Sequence, residues 1–137
     1  MNRFFGTVAA LETEGEISLV EIDVQGDRLT SLVLESESSS AYLAKGKPVT
    51  VLFKESEVSV AVGDIPNVSI RNRLPCAVRA INSGRILSHL VLDYRGATLH
   101  ALISTHAQEA LGLKPGLAVY ALIKATEVSL AEGHVAV

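Results

Sequence analysis

The sequence has few cysteines and aromatic residues, and its many apolar residues form no long run. It has one cysteine, Cys76, no tryptophan, and only 4% aromatic residues among 137 positions. A lone cysteine excludes a disulfide within the chain and fits a reducing compartment. No apolar run approaches the length that crosses a bilayer, and the N-terminus makes a poor secretion signal. We therefore expect no contact with a membrane and a cytoplasmic location.

Positive charge is scarce in the first half of the chain. Residues 1–68 hold five Lys and Arg against eleven Asp and Glu, a net charge of −6, whereas residues 69–137 hold seven against four, a net charge of +3. The total of −3 disfavours a nucleic-acid partner. The distribution makes the second half the better host for a small anion.

The chain contains two copies of one segment at an offset of 70 residues. Asn2-Arg3 recurs as Asn72-Arg73, and the closing stretch Lys54–Gly63 aligns with Lys124–Gly133 at six identities in ten positions. Agreement in one register over the whole length indicates a true tandem repeat. We expect a first module at residues 1–63, a linker at 64–68 and a second module at 69–137.

Each copy has the pattern of five short strands and one short helix. In the second copy, alternating apolar residues predict strands at 73–81, 85–93 and 99–103, and residues 105–111 favour a helix that ends at Gly112. Residues 119–124 and 127–131 are predicted to form a final hairpin. Five short strands bury enough surface only if the sheet closes or another copy covers it. The predicted fold is therefore mostly β, with two tandem OB-like five-stranded barrel modules, each with one short helix.

Three segments of the second copy resemble motifs of the molbindin family (Mop, or TOBE-type) of molybdenum-binding domains. The motifs are Ser-Ala-Arg-Asn, Ile-Thr-x-x-Ser-x-x-x-Leu-Gly-Leu and Ile-Lys-Ala-[Ser/Thr]-x-Val. In this sequence they correspond to Ser69–Asn72, Ile103–Leu113 and Ile123–Val128. They occur in order and at family spacing, and the tandem arrangement is similar to that of a di-Mop molbindin.

The resemblance implies an oxyanion site at an interface between modules, where the first and third motifs come from one module and the middle motif from a neighbour. It also implies a homo-oligomer, a dimer or trimer of chains, with molybdate or tungstate as the bound ligand. The residues carried over by position are Ser69, Arg71, Asn72, Ser104, the backbone N–H near Ala107, Lys124, Ala125 and Thr126.

The chemistry of these residues suits a tetrahedral dianion without reference to any family. Arg71 offers a planar fork of donors, Lys124 offers a point charge, and the Ser and Thr side chains offer hydroxyl donors. No carboxylate belongs to the set, and it contains no pairing of a nucleophile with a base. We therefore expect a binding protein for storage, buffering or homeostasis of the oxyanion, and not an enzyme.

The first copy lacks most of these donors. Met1 aligns with Arg71, Glu37 takes the place of Ala107, and Glu55 takes the place of Ala125; only Lys54 and Ser56 survive. A dianion next to two carboxylates is implausible. The sequence predicts a structural first copy and a binding second copy.

Three other functions are compatible with the sequence to different degrees. The module could be the ligand-sensing part of a molybdate-responsive regulatory system, although we expect no DNA binding by this chain alone. It could be an interaction domain that has lost its ligand. An OB-type nucleic-acid binder is disfavoured by the scattered aromatic residues and the negative charge. The four histidines lack metal-ligand spacing, and Cys76 is expected to be a small buried residue.

Overall fold

The computed structural model describes residues 1–65 and 67–135, and nearly all of its regular structure is antiparallel β-sheet. The first copy contributes β1 (Asn2–Glu14), β2 (Ile17–Val24), β3 (Asp27–Val33), β4 (Pro48–Phe53) and β5 (Ser59–Ala61). The second contributes β6 (Asn72–Ser83), β7 (Leu87–Tyr94), β8 (Ala97–Ser104), the helix α1 (Thr105–Leu111), β9 (Ala118–Ile123) and β10 (Ser129–Glu132). A short 3-10 turn precedes each closing strand, at Glu55–Glu57 and at Ala125–Glu127. The predicted mostly β fold with five strands per sheet is confirmed.

The hairpins follow from turn chemistry and alternation. Gln25-Gly26 and Arg95-Gly96 have positive φ at both residues, between 48° and 88°. Two consecutive residues of positive φ give the tight turn whose twist matches that of the flanking strands. Alternate residues of β2 and β7 are buried, so one face of each hairpin forms the core of its sheet.

The strands divide into two compact units that do not coincide with the two repeats. The C unit comprises Met1 and Lys54–Ile123, and its sheet has the order β5-β9-β6-β7-β8. The N unit comprises Asn2–Phe53 and Lys124–Val137, and its sheet has the order β10-β4-β1-β2-β3. Each sheet is thus completed by the closing strand of the other copy. The boundary predicted between the repeats therefore falls within the C unit and not between the two compact units.

The predicted hairpin between residues 119–124 and 127–131 is wrong. β9 pairs with β5, and β10 pairs with β4. The connection between β9 and β10 has no residue of positive φ, and both residues that flank its 3-10 turn are extended. The connection therefore lacks the two-residue left-handed turn that most commonly closes a hairpin, and the chain continues past β9 instead of folding back on it.

The sheet of the N unit is rolled. β3 and β10 are its opposite edges, yet the Ser31 hydroxyl in β3 donates to the carbonyl of Val128, next to β10, at 2.6 Å. Both residues are buried. Ala101 occupies the position of Ser31 in the C unit and is buried as well. Val20, Ile22 and Phe53 belong to the buried core of the N unit, and Leu90, Leu92 and Tyr94 belong to that of the C unit. Cys76 is buried, as predicted.

The predicted helix is present in the second copy and absent from the first, so that part of the fold prediction is wrong. α1 begins after Ser104, whose hydroxyl caps it, and ends at Gly112, which has a φ of 62°. The counterpart segment in the first copy, residues 35–41, has no helix and is rich in serine. The Ser39 hydroxyl bonds both the N–H and the carbonyl of Ser36. Serine side chains that bond nearby backbone compete with helix formation, and Tyr42 replaces the glycine that ends α1.

Candidate functional site

The first motif lies on the segment that leads into β6. Ser69 and Arg71 are both exposed there, while Asn72 is almost completely buried. The segment is held by Arg73, the first residue after the motif. Its guanidinium donates to the carbonyls of Ile65, Val68 and Ile70, the last two at 3.1 Å. The hydrogen bonds from Arg73 therefore hold the backbone that carries the two exposed donors, Ser69 and Arg71.

Asn72 differs from the other predicted site residues in its burial. Asn2, at the same position of the first copy, is buried to the same degree. The first copy thus keeps this asparagine although Met1 stands at the position of Arg71. That comparison favours a structural role for Asn72 over direct contact with a ligand.

The middle motif presents one hydroxyl and no free amide at Ala107. The backbone N–H of Ala107 donates to the Ser104 hydroxyl at 3.0 Å, in an N-cap of the seven-residue helix α1. The Ala107 N–H is therefore used within the helix cap, and the binding of a ligand by an N–H near Ala107 stays a prediction. Ser104 is exposed, and its hydroxyl hydrogen has no acceptor among residues 1–65 and 67–135.

The third motif follows β9 directly. Lys124 and Thr126 are exposed, and Ala125 is half-buried. The carbonyl of Lys124 accepts from the N–H of Glu127 at 2.9 Å, which shapes the 3-10 turn. Ile123, the last residue of β9, pairs with Asn72 at the start of β6. The first motif and the beginning of the third therefore adjoin in the sheet register.

No single unit contains all the predicted donors. Ser69, Arg71, Asn72, Ser104 and Ala107 belong to the C unit, whereas Lys124, Ala125 and Thr126 belong to the N unit.

Within the C unit the first and middle motifs lie at opposite ends of the sheet. Asn72 begins β6, while Ser104 pairs with Leu87 beside the other end of β6, at Ser83. Those ends are up to about 36 Å apart along an extended strand. The middle motif of one unit is thus placed away from the first motif of the same unit.

The counterpart positions of the first copy carry negative charge. Glu37, which is exposed, stands at the position of Ala107, and Glu55 stands at that of Ala125. Two residues before Glu37, the carboxylate of Glu35 accepts hydrogen bonds from Ser40 and from the Tyr42 hydroxyl, both at 2.7 Å, and these bonds lower the pKa of Glu35. Glu55 forms an ion pair with the Met1 ammonium, which lowers the pKa of Glu55. Both acids are therefore ionised at neutral pH. Lys54 and Ser56 are exposed, but they flank Glu55 directly in the chain.

His89 and His100 form a pair that the sequence pattern did not single out. Their Nε2 and Nδ1 atoms are 2.9 Å apart, and the ring planes differ by 18° with centroids 5.0 Å apart. Those values fit two nearly coplanar rings joined edge to edge by an N–H···N bond, so the two nitrogens face each other and not a common ligand. In the described ranges, no group of three or more His, Cys, Asp and Glu side chains is arranged to hold a metal ion.

Arg73 is the residue that sequence reasoning missed. It was visible only as part of the repeated Asn-Arg pair, because its partners are backbone carbonyls and carry no signature in residue type.

None of the helices in the described part of the chain has the length and apolar character that a membrane crossing requires.

Two five-stranded β-modules in tandem, with exposed hydroxyl and cationic side chains at the motif positions, define the class of this protein. The chain belongs to the TOBE domain family, whose model matches residues 1–60 and again residues 68–130. The resemblance to tandem molbindin-type proteins is thereby confirmed.

Curated relatives of this chain are named for the binding or transport of molybdenum. The molybdenum-pterin-binding protein MopA of Rhodobacter capsulatus is 35% identical over 127 residues, which are 91% of this chain and 46% of MopA. The molybdenum transport protein ModE of Azotobacter vinelandii is 28% identical over 132 residues, which are 95% of this chain and 49% of ModE. The chain spans about half the length of these curated relatives.

One solved structure has the same fold over nearly the whole length of this chain. The cytoplasmic molybdate-binding protein ModG, in a crystal form with molybdate bound, superposes with a TM-score of 0.89 at 32% sequence identity. The superposition covers 96% of this chain and 95% of the ModG chain.

Proposed function

We propose that the chain binds molybdate or tungstate for storage, buffering or homeostasis of the oxyanion in the cytoplasm, and performs no chemistry on it. The observation that carries the proposal is the likeness to molybdate-loaded ModG over nearly the full length of both chains. The MopA relative, named for binding molybdenum-pterin, points to the same element.

The exposed donors support this ligand. Arg71 and Lys124 supply positive charge, and Ser69, Ser104 and Thr126 supply hydroxyl groups. Oxyanions with acceptors on all sides are held by such charge-assisted bonds. A binding role without catalysis fits a donor set that contains no nucleophile beside a base.

The proposed site is completed between modules, in a homo-oligomer of two or three chains. The support is the separation of Ser104 from Asn72 along β6, which prevents one C unit from surrounding a small ion with both motifs. The first copy acts as a structural partner in this proposal, because Glu37 and Glu55 stand at the positions that Ala107 and Ala125 occupy in the second copy.

A second function is favoured by the coverage of the relatives. The chain spans only 35% of the molybdenum import ATP-binding protein ModC of Pseudomonas fluorescens and 49% of ModE. The same module could therefore serve as the ligand-sensing part of a larger regulatory or transport system.

Equilibrium dialysis with molybdate and tungstate tests the proposal. We expect about one tightly bound oxyanion per chain and at least a roughly tenfold loss of affinity for Arg71→Ala, since a hydrogen bond to a charged group contributes about 1.5–3 kcal/mol. Arg28→Ala is the matched control, because Arg28 is exposed and already paired with Asp23 and Glu21.

Two results would count against the proposal. Wild-type affinity in Arg71→Ala would remove Arg71 from the site. No thermal shift with molybdate, tungstate, sulfate or phosphate would instead indicate an interaction domain without a ligand.

A further inference from the structure

Arg73 uses its guanidinium on one short stretch of backbone. All three nitrogens donate to carbonyls, from Nε to Ile70, from one terminal nitrogen to Ile65 and from the other to Val68. The three acceptors span six residues just before β6. A planar fork of donors is needed to reach acceptors in three directions at once. The bonds therefore fix the positions of these three carbonyls relative to the Arg73 guanidinium.

Two of these carbonyls lie next to the exposed donors of the first motif. Ser69 lies between two of the carbonyl acceptors, Val68 and Ile70, and Arg71 follows the second of them. Any change in the path of residues 68–70 moves the Ser69 hydroxyl and the Cα of Arg71. The Arg73 bonds are thus coupled to the direction in which both donors point.

The first copy supplies an internal comparison. Arg3 stands at the same repeat position, and it pairs with Leu52 in the N unit just as Arg73 pairs with Leu122 in the C unit. Yet the Arg3 Nε is buried and has no hydrogen-bond partner in the part of the chain that the structure describes. β1 forms in the same register without the carbonyl bonds. The three bonds of Arg73 are therefore not required to build the strand, and their effect is on the segment before it.

We propose that Arg73 is a positioning residue of the oxyanion site, which acts by holding the Val68 and Ile70 carbonyls on either side of Ser69, so that Ser69 and Arg71 face the ligand. The inference rests on the proposed function. Arg73 acts through the backbone and not through its charge. The geometry of the fork is consequently what matters, and lysine, a compact point charge, cannot replace it.

The experiment measures molybdate affinity by isothermal titration calorimetry in the full chain and its Arg73→Gln, Arg73→Lys and Arg3→Gln variants. Amide hydrogen exchange of peptides covering residues 65–71 is followed in the same proteins without ligand. We expect both Arg73 variants to bind roughly tenfold or more weakly, which is the size of loss found for outer-shell partners of ion sites. We also expect faster exchange confined to residues 65–71, whereas Arg3→Gln binds and exchanges like the unaltered chain.

Several outcomes would overturn the inference. Wild-type affinity in Arg73→Gln would show that the bonds from Arg73 to the backbone carbonyls are not needed for molybdate binding. Recovery of affinity in Arg73→Lys would show that charge, and not the fork, is what Arg73 supplies. Unchanged exchange at residues 65–71 would show that the bonds do not hold the segment. These results would leave the proposed function intact, whereas absence of molybdate binding by the unaltered chain would overturn both.

Discussion

Replacing Ser31 with alanine should loosen the attachment of the exchanged closing segment in the N unit. The Ser31 hydroxyl is fully buried and donates at 2.6 Å to the carbonyl of Val128, which is also buried. The change removes one oxygen and leaves that carbonyl without its hydroxyl donor. Loss of a partner for a buried polar group costs about 1–3 kcal/mol.

The lower half of that range applies because an alanine fits the space. Ala101 occupies the equivalent position of the C unit, where it is fully buried, so little repacking strain is expected. We therefore expect Ser31→Ala to lower the free energy of unfolding by about 1–2 kcal/mol. With a urea m-value of about 2 kcal/mol/M, the midpoint falls by about 0.5–1 M.

Urea unfolding followed by circular dichroism measures this effect. Ser129→Ala is the control, since Ser129 lies in β10 itself but is exposed, and surface changes of this kind stay within about 0.5 kcal/mol. An unchanged midpoint for Ser31→Ala would refute the idea that this bond secures the rolled sheet. A loss as large for Ser129→Ala would do the same, because the effect would then not depend on burial.

Two further predictions concern the first copy. Gly6→Ala should lower the melting temperature by overpacking, at a cost of about 1–3 kcal/mol, because a Cβ there would lie 2.5 Å from Ile22 Cγ2; a melting temperature equal to that of the unaltered chain would contradict the packing. Glu35→Gln should destabilise the chain at pH 7, and the deficit should shrink as pH falls from about 5 to 3. The lowered pKa of Glu35 means that its stabilising effect is present above the ordinary value of about 4.3 and is lost as the folded-state carboxylate is protonated. A deficit that is constant with pH in urea titrations would contradict the ionised role of Glu35.

Much of the fold is predictable from the sequence because it depends on local signals. Arg95-Gly96 predicts its turn through backbone conformation, and Ser104 with Gly112 delimits α1 through capping. The missing helix of the first copy could have been foreseen from its serine-rich segment. Each of these features is decided by a few consecutive residues.

The exchange of closing strands could not be predicted in the same way. β5 reads Ser-Val-Ala and β10 begins Ser-Leu-Ala, so either strand suits either partner by side-chain pattern. The pairing of β10 with β4 depends on the backbone path between β9 and β10, where extended residues flank the 3-10 turn. The role of Arg73 was hidden for a related reason, since backbone carbonyls are present at every residue.

The exchanged strands also impose an order on synthesis. A chain emerging from the ribosome has all of the C unit available once Ile123 has left the exit tunnel, but the N unit still waits for β10. Until then β4 presents an unpaired edge next to the earliest-made strands, and unpaired edges invite pairing with other chains. The half of the protein that is translated first is therefore the half that matures last.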